Sequence, residues 1–234
     1  MSDTRPVGPP VPGFKPPRLP DGKTMKGRFA LLERLDSDRH AAPLFKAYEG
    51  HDWVWDYMPC GPFSSVDELR DWICEATGSG EYLFHAIYDR QTGRYGGFAS
   101  YMRMKPESGV IEVGFIAMAP CLQRTRAATE AMYMMMKWAF ETGYRRYEWK
   151  CDALNSPSRA AAKRLGFSHE GVFRNATIVK GRNRDTAWFS VIDSEWSALE
   201  RAYEEWLSPV NFDGDGMQIK RLSELTGQLH ARNS

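Results

Sequence analysis

Residues 109–139, GVIEVGFIAMAPCLQRTRAATEAMYMMMKWA, decide the fold that this sequence predicts. Val110 to Met118 is rich in apolar and β-branched residues and predicts a strand. A polar loop, Cys121 to Ala128, leads into a helix that carries apolar residues at helical spacing until Gly143. Unpaired amides and the dipole at a helix N-terminus favour negative charge, so the segment predicts a site for a phosphate-bearing ligand.

Composition limits the classes of function. The chain has 234 residues with 42% hydrophobic and 26% charged residues and a net charge of +1, which suits one large globular domain and argues against nucleic acid as a partner. The four cysteines show no CxxC spacing and no paired histidines, so no metal is expected. No stretch reads as a signal peptide or a membrane span, and reduced thiols fit a cytoplasmic protein that does not bind membranes.

Proline content divides the chain. Seven prolines between residues 5 and 20 predict that residues 1–24 form an extended arm. Residues 25–208 carry the periodic segments of a single domain, and residues 209–234 form a polar extension with a short helix at 220–230. The arm either lies on the surface of its own domain or wraps a neighbour in a homodimer.

The rest of the domain predicts a mixed α/β fold. Three antiparallel strands, 82–88, 94–104 and 110–118, form a meander, and a hairpin of strands near 168–179 and 184–192 follows the long helix. The remaining elements are strands at 28–34 and 147–151 and helices at 39–48, 65–76, 159–165 and 195–206. We expect a mostly antiparallel sheet of six to seven strands, flanked by helices.

Three blocks in order resemble the GCN5-related N-acetyltransferases (GNAT), most closely the branch of ribosomal-protein N-terminal acetyltransferases. The first is IEVGFIAMAP with QRTRAAT at 123–129, which resembles the family's pyrophosphate loop Q/R-x-x-G-x-G/A. The second is NSPS at 155–158 with LGF at 165–167 and HEGVFR at 169–174. The third is GRNRD at 181–185 with a helix start at 190–196. The resemblance strongly covers about half of the chain.

The resemblance implies acetyl-CoA as cofactor. The strand before the loop splays from its neighbour in this family, and the pantetheine arm lies in the gap. The implied cofactor contacts are therefore Ile116, Ala117, Met118, Gln123, Arg124, Thr125, Arg126, Ala127, Ala128, Thr129 and Asn155. The chain departs from the pattern at Arg126 and Ala128, where the family has Gly and Gly or Ala. Arg126 is either a surface residue or, with Arg124, an additional phosphate contact.

The resemblance also implies two catalytic residues, Glu112 and Ser158. Glu112 lies where relatives carry a general base, although it can equally be a structural carboxylate of the strand. Many relatives have a tyrosine acid where this chain has Ala162, and Ser158 is the substitute found in the ribosomal-type branch. Ser158 and Asn155 can also simply cap their helix. The Met118 amide is the implied donor to the reacting carbonyl oxygen.

The acceptor is read mainly by the first half of the chain. Trp53, Trp55 and Tyr57, with acids nearby, can hold a cationic amine or merely pack over the core, and Tyr101 can face the cleft. We expect transfer of an acetyl group to a primary amine, either a protein N-terminus or a small molecule. The alternatives are a polyamine or antibiotic acetyltransferase and an acyl-CoA-binding protein without turnover.

Overall fold

Eight strands form one twisted sheet in the spatial order β1-β2-β3-β4-β5-β6-β8-β7. The computed structural model describes residues 5–231, with the side chains of residues 5–227. The strands are β1 (Met25–Lys26), β2 (Ala30–Arg34), β3 (Leu83–Asp89), β4 (Arg94–Lys105), β5 (Val110–Met118), β6 (Arg146–Asp152), β7 (Ser168–Val179) and β8 (Arg182–Ile192). Every neighbouring pair is antiparallel except β5 and β6, which are parallel.

Helices cover both faces of the sheet. They are α1 (Ser37–Tyr48), α2 (Val66–Gly78), α3 (Arg126–Thr142), α4 (Ser156–Arg164), α5 (Asp193–Leu207) and α6 (Leu222–Ala231). One core joins α1 and α2 to β3 and β4, and a second, larger core lies under α3, α4, α5 and α6. The mixed α/β architecture is confirmed. The expected number of six to seven strands is wrong, because the two-residue strand β1 is too short to leave a sequence pattern.

Local signals set the helix boundaries. Asp36 caps α1 by accepting the Arg39 amide, and Ser65 caps α2 by accepting the Glu68 amide. Helix α3 ends at Gly143, whose φ of 105° lies in the left-handed region that glycine adopts without strain. Because α3 connects the parallel strands β5 and β6, its N-terminus is fixed at the carboxyl end of β5.

The proline-rich arm contacts the body of the protein at its C-terminal end. Tyr144 donates a hydrogen bond from its hydroxyl to the Arg18 carbonyl, and the Arg18 guanidinium lies over the Trp138 ring. Phe14 packs beside Gly109 and under the Arg145 guanidinium. These contacts lie at the C-terminal end of α3, at the opposite end of that helix from the phosphate site expected at its start.

Candidate active site

A gap opens between the two central parallel strands. Pairing of β5 with β6 runs from Val110 opposite Arg146 to Val113 opposite Trp149 and then stops. Beyond this point Phe115 has a φ of 47°, which bends β5 away from β6. The backbone of residues 115–118 therefore faces residues 150–152 without ladder bonds between them, and the predicted splay is present.

The amide of Met118 points into this gap. The neighbouring Ala119 donates its N–H to the Gly96 carbonyl on the β4 side. Since successive residues of an antiparallel pair direct their backbone groups to opposite sides, the Met118 groups point away from β4. Gln123 donates a side-chain hydrogen bond to the Met118 carbonyl at 2.8 Å, which fixes the end of the strand. The Met118 N–H is thus left available as a donor.

The loop before α3 presents free amides. Thr125 caps the helix by accepting the Ala128 amide at 3.0 Å, and Arg124 adopts a left-handed φ of 62°. Among the described residues, the amides of Arg124, Arg126 and Ala127 have no protein acceptor. A left-handed residue beside a helix N-terminus gathers such N–H groups into an anion-binding concavity. The buried Ala127 and Ala128 keep the first turn free of bulky side chains.

Not every predicted cofactor residue presents its side chain to this loop. The Arg126 guanidinium lies over the rings of Phe29 and Phe212, at 5.1 Å and 4.3 Å from the two ring centroids. Its backbone amide belongs to the free set at the helix start. The amides of Gln123 and Thr129 already donate within the loop, and Thr129 accepts from Arg164 through its hydroxyl. Ala117 is buried, and its carbonyl accepts the Tyr48 hydroxyl.

Ser158 lies at the β6 side of the gap. Asn155 caps α4 by accepting the Ser158 amide at 3.0 Å, and the Ser158 hydroxyl accepts the Trp149 indole N–H at 3.1 Å. Burial raises the pKa of the Cys151 thiol, and a hydrogen bond with Ser158 opposes the rise. An oxygen that accepts from the indole keeps its own proton for donation, which suits a weak acid beside the gap.

Glu112 belongs to a chain of alternating charges across β4, β5, β6 and β7. Arg103 donates to both of its carboxylate oxygens, at 2.9 Å and 2.8 Å, and Lys150 Nζ lies 2.8 Å from one of them. Lys150 also pairs with Glu148 at 2.7 Å, and further pairs join Arg146 to Glu148 and to Glu170. Glu112 is thus held by two cations, one on each neighbouring strand.

Arg146 influences two carboxylates of this chain. The pKa of Glu170 is lowered, chiefly by its hydrogen bonds to Arg146. At Glu148 burial acts to raise the pKa, but the paired Lys150 and Arg146 outweigh it, and the net direction is down. Both carboxylates are therefore stabilised as anions, which keeps Glu148 paired with both Lys150 and Arg146 and Glu170 paired with Arg146.

The aromatic residues expected to hold the acceptor separate into two groups. Trp53 and Tyr57 are exposed, by 53% and 38%, and the Tyr57 hydroxyl donates to the Leu154 carbonyl. Trp55 is buried and packs against Tyr48 and Phe63. The expectation that Tyr101 faces the cleft is wrong. It is fully buried, because it lies on the sheet face covered by α3, where its hydroxyl donates to the Met135 carbonyl.

Sequence reasoning missed several residues that complete the site. Tyr48 fixes the Ala117 carbonyl from α1, and Lys150 clamps Glu112 while its ammonium lies 3.7 Å from the centroid of the Trp188 ring. Lys180, at the tip of the β7–β8 hairpin, donates to the Trp55 carbonyl and joins the hairpin to the loop between α1 and α2. Each contact joins residues that are far apart in the sequence. The sequence therefore shows the type of each residue but not its partner.

Two properties of residues 5–231 bear on the expected partners. No helix in that range combines the length and apolarity needed to cross a membrane. Within the same residues, histidine, cysteine and acidic side chains do not gather into a group of three that suits a metal ion.

Several known proteins resemble this chain in sequence and in fold. Residues 30–168 match the acetyltransferase (GNAT) domain family. A GCN5-related N-acetyltransferase from Brucella melitensis is 43% identical, with a TM-score of 0.90 over 93% of this chain and 100% of that one. A probable GNAT-family acetyltransferase from Chromobacterium violaceum is 38% identical, with a TM-score of 0.78 over 85% of this chain and all of that one.

A curated relative agrees. N-acetyltransferase p20 of Bacillus licheniformis is 27% identical over 152 residues, which cover 62% of this chain and 83% of p20. The family match spans more than half of the sequence, and the splayed strands and capped loop are those that the family's pattern implies. The chain belongs to the GNAT family and is an N-acetyltransferase.

Proposed function

We propose that the protein transfers an acetyl group from acetyl-CoA to a primary amine by direct attack in a ternary complex. The observation that supports this proposal most strongly is that three features lie close together. The gap beside residues 115–118, the free amides at the start of α3 and the Ser158 hydroxyl all lie around the carboxyl end of β5. Together they match the shape and donor set that a thioester with a diphosphate arm requires.

The cofactor contacts divide by chemistry. The amides of Arg124, Arg126 and Ala127 hold the diphosphate, and the cap at Thr125 keeps them aligned. The backbone groups of Ile116 and Met118, which point away from β4, bind the pantetheine arm along the open edge of β5, and Asn155 borders it from α4. Ala117 contributes to this edge as a spacer, because its carbonyl faces β4 and accepts the Tyr48 hydroxyl. Ala128 and Thr129 line the first helical turn without a bulky side chain.

The bound cofactor supplies an acetyl group that is activated as a thioester. The Met118 N–H, directed into the gap, donates to the carbonyl oxygen where negative charge develops. The Ser158 Oγ–H supplies a proton to the departing sulfur once it turns from the Cys151 thiol, while the same oxygen keeps accepting the Trp149 indole N–H.

Glu112 is proposed as the general base through an exchange of cations. The Arg103 side chain is 55% exposed, whereas Lys150 and Glu112 are only 7% and 3% exposed. An incoming ammonium group can therefore replace the mobile Arg103 beside Glu112 while Lys150 stays in place. The carboxylate then removes a proton from the amine that it has just bound, directly or through water.

The acceptor enters between the α1–α2 loop and the β7–β8 hairpin, which meet through Lys180. The exposed rings of Trp53 and Tyr57 border this entrance and suit a cationic amine through cation–π contact. The motifs of the ribosomal-type branch favour a protein N-terminal amine, and a small amine remains the competing acceptor. A cytoplasmic location fits an enzyme of this kind.

The deciding experiment measures release of free CoA thiol with a panel of N-terminal peptides, polyamines and aminoglycosides. Turnover with at least one peptide is expected. Preference for a polyamine or an aminoglycoside would show that the acceptor is a small amine and not a protein N-terminus. Ser158→Ala should lower kcat by roughly 100-fold without changing cofactor affinity, and Glu112→Gln should remove the acidic limb of the pH–rate profile. Tight acetyl-CoA binding with no turnover on any amine would instead indicate an acyl-CoA sensor.

A further inference from the structure

The segment after α5 is built against the start of α3. Asn211 is buried and fastens this segment, because its side-chain amide donates to the carbonyls of Trp206 and Lys220 and its oxygen accepts the Lys220 amide. Trp206 donates its indole N–H to Gln218 and packs edge-on against Phe212. Residues 206–220 are thus a closed, internally bonded loop, which presents the Phe212 ring in a fixed position.

The Arg126 guanidinium lies over the Phe212 ring and also over the Phe29 ring. Phe29 is held in turn by Glu130, whose carboxylate accepts the amides of Arg28, Phe29 and Ala30. Gly216 completes the enclosure, since a Cβ there would lie 3.0 Å from Arg126 Nη2. The guanidinium therefore contacts two rings whose positions the fold itself fixes.

Arg126 has no carboxylate partner for its charge. Among residues 5–227 it forms neither an ion pair nor a side-chain hydrogen bond, although the same segment contains Asp213 and Asp215. Contact with rings uses the faces of a guanidinium and leaves its edge N–H donors free, in the planar array that matches a phosphate. The residue is also the first of α3, beside the unpaired amides.

We propose that residues 206–220 are part of the cofactor site and that Phe212 is a positioning residue, which holds the Arg126 guanidinium as a ready-made contact for a phosphate group of CoA. The inference rests on the proposed use of acetyl-CoA. It also gives a physical reason for arginine at a position where the family's loop has glycine. The loop keeps its backbone amides for the diphosphate, and the side chain adds a cation at the rim.

Binding measured by calorimetry tests this without any acceptor. Arg126→Gln should weaken acetyl-CoA by roughly tenfold or more, as expected for one charge-assisted hydrogen bond, and Phe212→Ala should do so to a similar or smaller extent. Phe212→Trp should retain most of the affinity, because it restores an aromatic face. Arg201→Gln, which removes an exposed charge from α5, is the matched control and should bind as the parent protein does.

Three ligands separate the sources of the effect. A defect that disappears with dephospho-CoA assigns the contact to the 3′-phosphate, and one that persists with dephospho-CoA but disappears with acetyl-pantetheine assigns it to the diphosphate. In the double variant, Phe212→Ala should add little to Arg126→Gln, since both act through one contact. If a variant bound acetyl-CoA, dephospho-CoA and acetyl-pantetheine with equally reduced affinity, the defect would lie in the fold and not in a phosphate contact. That result would overturn the proposal.

The remaining outcomes are also decisive. Equal acetyl-CoA affinity for the parent protein and Arg126→Gln would overturn the phosphate contact. A defect in Arg126→Gln with none in Phe212→Ala would overturn the positioning role of the C-terminal segment. Failure of the parent protein to bind acetyl-CoA at all would instead refute the proposed function on which the inference depends.

Discussion

At the scale of single residues, Lys150 joins two buried carboxylates. Its ammonium lies within 2.8 Å of Glu112 and 2.7 Å of Glu148, and all three side chains are at most 10% exposed. Removing one member of a buried charge network leaves its partners uncompensated, which costs far more than the net contribution of an exposed pair. The position of Glu112 in the proposed active site therefore depends on the Lys150 side chain.

We expect Lys150→Met to lower the free energy of unfolding by about 3–5 kcal/mol, because Glu112 and Glu148 would then face each other without a shared cation. Urea denaturation measures the change. Lys46→Met is the matched control, since Lys46 pairs with Glu49 on the surface at 80% and 59% exposure and should contribute about 1 kcal/mol or less. Equal effects of the two substitutions would show that the buried network does not stabilise the fold.

At the scale of elements, the start of α3 combines stability with binding. Thr125 accepts the Ala128 amide, and its own hydroxyl donates to the Leu122 carbonyl at 2.7 Å. The cap therefore fixes both the helix and the loop that leads into it. Because the residues on either side supply the free amides, the same hydroxyl keeps the proposed diphosphate site in shape.

Replacing Thr125 by alanine should cost about 1 kcal/mol of stability, the usual effect of losing a hydroxyl cap. Acetyl-CoA affinity should fall as well, since the loop loses its tie to Leu122. Thr125→Ser keeps the hydroxyl and should retain both properties. Unfolding in urea and calorimetric titration give the two quantities, and an alanine variant as stable as the serine variant would contradict the capping role.

The sequence predicted the elements whose signals are local. Strand β5 has the predicted bounds, and Asn155 caps its helix, which is one of the two roles expected of it. The free amides before α3 follow from the same kind of signal. These features depend on neighbours within about four residues, which a single sequence displays.

Features set by tertiary contacts were not predictable in this way. The sequence pattern of β4 does not tell which face of the sheet carries Tyr101. The packing of α3 on one face decides that this side chain is buried. The sequence left Glu112 open between a general base and a structural carboxylate, since nothing in its own segment indicates Arg103 or Lys150 as its partners. The contacts of Arg126 with Phe29 and Phe212 join residues that are 97 and 86 positions apart, and no periodicity encodes them.

At the scale of the whole molecule, buried histidines make stability depend on pH. His85 on β3 is 1% exposed, packs edge-on against Tyr101 and has no hydrogen-bond partner on either ring nitrogen among the described residues. Burial lowers its pKa from 6.5 to about 4, Arg34 acts in the same direction, and the nearby Lys23 backbone and Asp21 oppose the shift. Burial likewise lowers the pKa of His40. Both side chains are neutral in the folded protein near pH 7.

Acid should therefore destabilise the fold well above the pH at which His85 itself becomes charged. Between pH 6.5 and about 4 the unfolded chain binds a proton at this histidine and the folded protein does not. The contribution of neutral His85 to the free energy of unfolding is therefore fully present above pH 6.5, and it is lost as the pH decreases through this window. The loss from His85 reaches at most about 3 kcal/mol, because one pKa unit corresponds to about 1.4 kcal/mol.

Urea midpoints measured from pH 7 to pH 4 test this dependence. His85→Phe removes the titrating group but keeps a ring against Tyr101, so its stability should fall less steeply with decreasing pH than that of the parent protein, whatever its stability at pH 7. His169→Gln alters an exposed histidine of β7 and should leave the slope unchanged. A His85→Phe variant with the parental slope would mean that acid acts on the fold through other groups, since a buried neutral histidine must contribute to proton uptake on unfolding.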